Sequence, residues 1–129
     1  MNRTWAQAWL DAFDHTTEKA VSLYADDFRF EEVILQQRIT DKRQLHTFFT
    51  NFANTDPALG VHTFTANSYT GTAESGTIQW SWKAQHSGDF MGFPAGGRET
   101  VTRGMTLQVY RDGKIILETT LSDVAAVLR

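Results

Sequence analysis

Three charged or titratable side chains fall, by alternation, in rows of apolar residues. In Phe28-Arg29-Phe30-Glu31-Glu32-Val33-Ile34, a period of two puts Glu32 on one strand face with Phe28, Phe30 and Ile34, opposite Arg29, Glu31 and Val33. A carboxylate in such a row loses hydration, which makes it a better proton acceptor, and a proton α to a carbonyl is what such a base removes. The competing reading pairs Glu32 with a buried donor such as Arg103 and makes it structural. Arg103 stands between Val101 and Met105, Leu107 and Val109 at the same period. A guanidinium buried there needs a partner, whether Glu32, Glu118 or an anionic ligand, and alternation does not tell which sheet face it takes. His86 ends the row Ile78, Trp80, Trp82, Ala84 and is placed to shuttle a proton, to donate to a substrate oxygen or to anchor the loop after it. Trp9, Tyr24, Phe30, Trp80, Trp82, Phe90 and Met105 are the expected lining of an apolar pocket, although an aromatic pair on a strand equally serves a core or a dimer surface.

Other chemistries lack their residues. His15, His46, His62 and His86 are scattered, with no ligand spacing and no nearby carboxylate, so no metal is expected, and no cofactor motif occurs. No G-x-S-x-G, G-x-G-x-x-G or P-loop follows a strand, and the glycines at 88, 92, 96 and 97 lead into no helix that would cradle a phosphate. A net charge of −3 without a basic block offers nothing to nucleic acid or an anionic membrane. No apolar run approaches the roughly 20 residues that span a bilayer. The first residues contain no apolar signal core, and cysteine is absent, which together fit a cytoplasmic protein.

The elements that must position these side chains follow from periodicity. Trp5, Ala8, Trp9, Ala12 and Phe13 form the stripe of a first helix, and a second helix is expected from 18 to about 25. Phe28 begins the strand that carries Glu32. Thr40 or Asp41 caps a third helix with Leu45, Phe48, Phe49 and Phe52 inward, and residues 54–60 end it with turn chemistry. Strands are expected at about 61–70, 76–87, 98–111 and 114–121, followed by a short helix at 124–128 capped by Asp123. Between the second and third of these strands lies a glycine-rich flap. With 41% hydrophobic residues and no break in composition, residues 1–129 read as one α+β domain, helices packed on one face of a curved antiparallel sheet.

Three segments carry a family resemblance. Leu23-Tyr24-Ala25-Asp26-Asp27-Phe28-Arg29-Phe30-Glu31-Glu32 resembles the strand entry of the nuclear transport factor 2-like superfamily, the fold of ketosteroid isomerase. His86-Ser87-Gly88-Asp89-Phe90-Met91-Gly92-Phe93-Pro94-Ala95-Gly96-Gly97-Arg98 resembles the loop of its SnoaL-like polyketide cyclase group, and Asp112-Gly113-Lys114-Ile115 with Glu118 and Asp123 resembles that group's ending. The resemblance implies a cone-shaped, cystatin-like α+β barrel with the N-terminal and middle helices on the concave face of its sheet. It also implies a homodimer through the sheet, and cofactor-independent acid/base chemistry on a hydrophobic carbonyl compound. It sets Glu32 at the isomerase's general-base position. The isomerase's oxyanion-hole tyrosine falls near Ala8 or Trp9 and its oxyanion-hole aspartate near Gly104 or Met105, so neither donor is kept. The cyclases' acid/base aspartate falls near Thr119-Thr120-Leu121-Ser122. A non-catalytic ligand-binding or dimerisation module is the alternative on the same fold.

Overall fold

The computed structural model describes residues 1–54, 60–123 and 126. Its elements run α1 (Arg3–His15), α2 (Thr17–Ser22), β1 (Tyr24–Glu32), β2 (Gln37–Ile39), α3 (Lys42–Thr50), β3 (Val61–Gly71), β4 (Ser75–Gln85), β5 (Glu99–Arg111) and β6 (Lys114–Ser122). Each helix starts on a side-chain cap that takes up otherwise unbonded peptide N–H groups. The Asn2 side chain accepts from the Trp5 N–H, Thr16 Oγ1 from the Lys19 N–H, and Asp41 Oδ1 from the N–H groups of Arg43 and Gln44. α2 stops at Ser22, short of the expected end, because Tyr24 is already paired with Ile115 of β6. The expected final helix at 124–128 and most of the 54–60 turn lie outside the described residues.

One sheet holds all six strands in the order β2-β1-β6-β5-β4-β3. Four of its pairings are antiparallel, as the turn signals imply; β1 and β6 run parallel, because α3 and four strands intervene before the chain returns beside β1. β2 was not expected from the sequence: its three residues are too few for a periodicity to register. The sheet is open, with β2 and β3 as its edges. Among the described residues no helix is long and apolar enough to cross a membrane.

The inner face of the sheet packs against Ala6, Trp9, Leu10, Ala12 and Phe13 of α1 and Leu45, Phe48 and Phe49 of α3. Ala8, expected in the α1 stripe, is exposed, and Ala6 and Leu10 take the inward positions. Phe28, Phe30 and Glu32 point inward as alternation predicts, whereas Ile34 is 52% exposed because β1 has ended two residues earlier. β4 follows its pattern throughout, with Ile78, Trp80, Trp82, Ala84 and His86 buried.

On β5 the outcome reverses hydropathy. The inward row is Thr100, Thr102, Thr106, Gln108 and Tyr110, and the apolar row with Val101, Arg103, Met105 and Leu107 faces outward. Inner Thr106, Gln108 and Tyr110 have hydrogen-bond partners that make polar burial tolerable. The flap folds back on the sheet end. Gly97 N–H donates to the His86 carbonyl, His86 N–H to the Arg98 carbonyl, and Phe90 and Ala95 are tucked inside.

Candidate functional site

β6 alternates Glu118, Thr120 and Ser122 inward. Parallel pairing sets Glu118 beside Phe30 and Thr120 beside Glu32 on β1; antiparallel pairing sets Glu118 beside Gln108 and Thr120 beside Thr106 on β5. Two carboxyls thus enter one interior from neighbouring strands, one residue pair apart.

Glu118, 2% exposed, is where three hydrogen-bond chains end. Tyr24 Oη donates to Oε1 at 2.6 Å, Gln108 Nε2 donates to Oε1 at 2.7 Å, and Thr120 Oγ1 donates to Oε2 at 3.1 Å. Behind them, Trp9 Nε1 donates to Tyr24 Oη (3.2 Å), Tyr110 Oη donates to Gln108 Oε1 (2.9 Å), and Trp80 Nε1 donates to Thr106 Oγ1 (2.9 Å), which lies 2.8 Å from Thr120 Oγ1. The indoles only donate, so every proton in the two chains that start from them points toward Glu118. Burial pushes the Glu118 carboxyl up to about 7 against the pull of its three donors. The Tyr24 hydroxyl is held well above its usual range by burial and by the neighbouring Glu118, and that of Tyr110 is raised by burial and by Tyr69.

Glu32, 3% exposed, is differently engaged. Its Oε1 accepts from Ile34 N–H (3.3 Å), Ser122 N–H (3.2 Å) and Ser122 Oγ (3.3 Å), and its Oε2 from Leu35 N–H (2.5 Å). It clips the turn after β1 to the end of β6. Arg103 is not among its partners.

Glu32 and Glu118 both line a partly open pocket of about 60 Å³. The rest of the wall is mostly rings, including Trp9, Phe30, Phe48, Phe64, Trp80 and Trp82, with Thr106, Thr120 and Ser122. Roughly 10–15 Å³ of such volume holds one water, so the space suits a compact molecule and is far below the roughly 300 Å³ at which drug-sized pockets begin.

Of the expected lining, Trp9, Phe30, Trp80 and Trp82 are in the wall. Tyr24 stands behind it as a donor to Glu118. Phe90 packs under the flap, its ring 5.2 Å from that of Trp82 and 5.6 Å from that of Phe52. Arg103 and Met105 are corrections: both lie on the outer face, in a groove of about 840 Å³ shared with Ile34 and Leu121, so neither meets the interior carboxylates. The apolar row of β5 belongs to the sheet's other side, and Arg103 with it.

His86 does not line the cavity. Its ring packs edge-on against Trp82, which does, and its Nε2 lies 2.9 Å from Thr100 Oγ1. Behind Trp82 the structure adds His62, which sequence reading passed over: its Nδ1 accepts from Trp82 Nε1–H at 3.0 Å, and its ring stacks on the indole. That bond leaves the proton of neutral His62 on Nε2, which has no partner among the described residues, as is also true of His86 Nδ1 and Thr102 Oγ1. Burial and then the charge of His86 lower His62 to about 4; burial and then Arg98 lower His86. These histidines stiffen the wall behind Trp82. Among the described residues no three His, Asp or Glu side chains converge as metal ligands would.

Glu118 is the residue whose importance the sequence concealed. The sequence offered Glu118 only as a possible partner for Arg103 and as part of the family-like ending; on β6 the inward row of Glu118, Thr120 and Ser122 is less apolar than the outward row with Leu117 and Leu121, so hydropathy does not single it out.

A family model described as SnoaL-like polyketide cyclase matches residues 2–129. No curated protein matches the sequence. Among solved structures, a SnoaL-like polyketide cyclase from Agrobacterium tumefaciens superposes with a TM-score of 0.71 at 17% identity, over 95% of this chain and 91% of that one. A protein of ketosteroid isomerase-like fold from Catenulispora acidiphila, in complex with trimethylamine, superposes with a TM-score of 0.76 at 16% identity, over 95% and 88%. IdmH of Streptomyces antibioticus, a candidate polyketide cyclase, gives 0.72 at 20% identity, over 97% and 93%.

Proposed function

The chain belongs to the SnoaL-like polyketide cyclase family, and we propose that it performs cofactor-independent proton transfer on a small carbonyl compound, with Glu118 taking and returning the proton. The observation that carries this reading is a buried carboxyl raised to about 7, in the wall of an interior pocket, with three neutral side chains donating to it. A base works best with its pKa near the working pH. Oε1 is held by Tyr24 and Gln108, which fixes the carboxyl plane. Among the described residues Oε2 accepts from Thr120 alone and keeps capacity for a substrate proton. The C–H electron pair passes into an enolate while the proton rests on Oε2; returning it to another carbon, or to the same carbon from the other side, completes an isomerisation, and attack of the enolate carbon on a second carbonyl, whose oxygen takes the electron pair and then the proton from Oε2, completes a cyclisation. Glu32 was the sequence's candidate base. In this reading its four donors make it a wall and turn clip, and His86 supports Trp82.

The test does not depend on the identity of the product. The protein is incubated in D₂O with a panel of small ketones and β-dicarbonyl compounds, and loss of the α-proton signal is followed by NMR. Wild type accelerates exchange of at least one compound. Glu118→Gln loses roughly 10²-fold or more of that acceleration, whereas Glu32→Gln stays within tenfold. Full activity of Glu118→Gln sinks the assignment; selective loss in Glu32→Gln moves the base to Glu32.

One observation favours a second reading, a binding module without turnover: the Catenulispora fold neighbour holds trimethylamine, a molecule on the scale of this cavity. Exchange absent on every compound, with ligand binding retained, supports it. For the assembly, we propose a homodimer through the outer sheet face. The support is the apolar row of Val101, Met105, Leu107, Leu117 and Leu121, each between 40% and 61% exposed.

A further inference from the structure

Charge is what the cavity leaves unbalanced. Glu32 and Glu118 line it, and among the described residues no lysine, arginine or histidine does. Glu32 is surrounded by peptide N–H groups and a serine hydroxyl, and the three donors to Glu118 are neutral. The donors that would greet an anion or a neutral acceptor are already spent. Trp9 Nε1–H goes to Tyr24, Trp80 Nε1–H to Thr106 and Trp82 Nε1–H to His62. What remains for a ligand is the open acceptor capacity of Glu118 and the faces of aromatic rings, whose quadrupole attracts positive charge, indole most of all.

Resting on the reading of this cavity as the functional site, we propose that the molecule it takes is a small organic cation, a compact tertiary or quaternary alkylammonium group facing Glu118, its alkyl groups against Trp9, Trp80 and Trp82. The volume of about 60 Å³ admits such a group and little more. The same charge serves the proton-transfer chemistry. Among the described residues the wall offers an enolate no cation and no unspent indole donor, and an ammonium within the substrate would offset its charge.

The groups facing Glu118 are Trp9 from α1, Tyr24 and the neighbouring Glu32 from β1, Gln108 and Tyr110 from β5 and Thr120 from β6; none of them is a base that gains positive charge. Because a cation prefers the ionised carboxylate, its affinity rises with pH through the Glu118 transition near 7 and levels off above it. A neutral ligand accepting a hydrogen bond from the protonated carboxyl shows the opposite trend.

The experiment titrates the 129-residue chain with tetramethylammonium chloride and with its near-isosteric neutral counterpart tert-butanol, following tryptophan fluorescence at constant ionic strength. Wild type binds tetramethylammonium at least tenfold tighter than tert-butanol, the preference disappears in Glu118→Gln, and the wild-type affinity increases between pH 5.5 and 7.5. Unfolding melts of Glu118→Gln establish that it is folded. Equal binding of the two probes, tighter binding of tert-butanol, or no tetramethylammonium binding overturns the proposal, as does an affinity that falls with pH. Exchange of neutral ketones without cation binding would remove this inference and leave the proton-transfer reading intact. Cation binding without exchange on any compound would do the reverse.

Discussion

Glu118 and His62 are buried titratable groups whose linkages to folding have opposite signs. The Glu118 carboxyl is raised from 4.5 to about 7, so between those values the folded protein binds the proton that the unfolded chain has released. Its effect is therefore most favourable below pH 4.5 and is lost as pH rises to 7. His62 is lowered from 6.5 to about 4, so its stabilising effect is complete above pH 6.5 and is lost as pH falls toward 4. Comparing wild type with Glu118→Gln isolates the first effect. From pH 4.5 to 8, wild type is expected to lose about 2–3 kcal/mol relative to the variant in urea melts, because each tenfold change in proton affinity is worth roughly 1.4 kcal/mol. A constant difference would mean that Glu118 titrates alike in both states. The sequence displayed Glu32 because its strand is plainly amphipathic, and Glu32 is indeed buried beside Phe30. It could not display the four donors on Glu32, three of them peptide N–H groups from a turn and a distant strand end, or the convergence on Glu118 of hydrogen-bond chains from five elements.

At the scale of elements, β4 and β5 behave differently toward pattern reading. β4 alternates large apolar and polar residues, and its inward row is as predicted. β5 alternates threonines and Gln108 with apolar residues, and the threonine side is inside because Trp80, Thr120 and Glu118 supply its hydrogen bonds. A rule that ranks faces by hydropathy misassigns such a strand, and Arg103 and Met105 are misplaced with it. Gly104 is the position on β5 that the aromatic wall depends on. A Cβ there would collide with Trp80 Cζ2, because the indole lies flat across the glycine. Gly104→Ala is therefore expected to push Trp80 from its place and weaken its bond to Thr106. Overpacking of this kind costs about 1–3 kcal/mol, measurable by chemical denaturation together with a change in tryptophan emission. An unchanged spectrum and stability would show that the ring has room to move.

For the whole molecule, the order of elements, five of the six strands and the three helices were legible, because long amphipathic segments and hairpin turns report themselves locally. β2 and the parallel β1–β6 pairing were not legible: one is too short for a period and the other joins segments far apart in sequence. That pairing brings Glu32 and Glu118 into one cavity while the outer face keeps its apolar row. If that row is a subunit interface, Leu107→Glu, at a position 52% exposed, converts a dimer to a monomer in analytical ultracentrifugation without lowering the stability of the protomer. A wild-type monomer at high concentration would leave the face without this partner. The account as a whole depends on Glu118 holding its proton to near neutrality inside the cavity. The most direct measurement is a pH titration of the ¹³C-carboxyl signals of glutamate-labelled protein, with Glu118→Gln identifying the resonance. The Glu118 carboxyl is expected to titrate near pH 7 and to shift to lower pH when tetramethylammonium is present. A Glu118 signal that titrates near 4.5 and ignores the cation would contradict it.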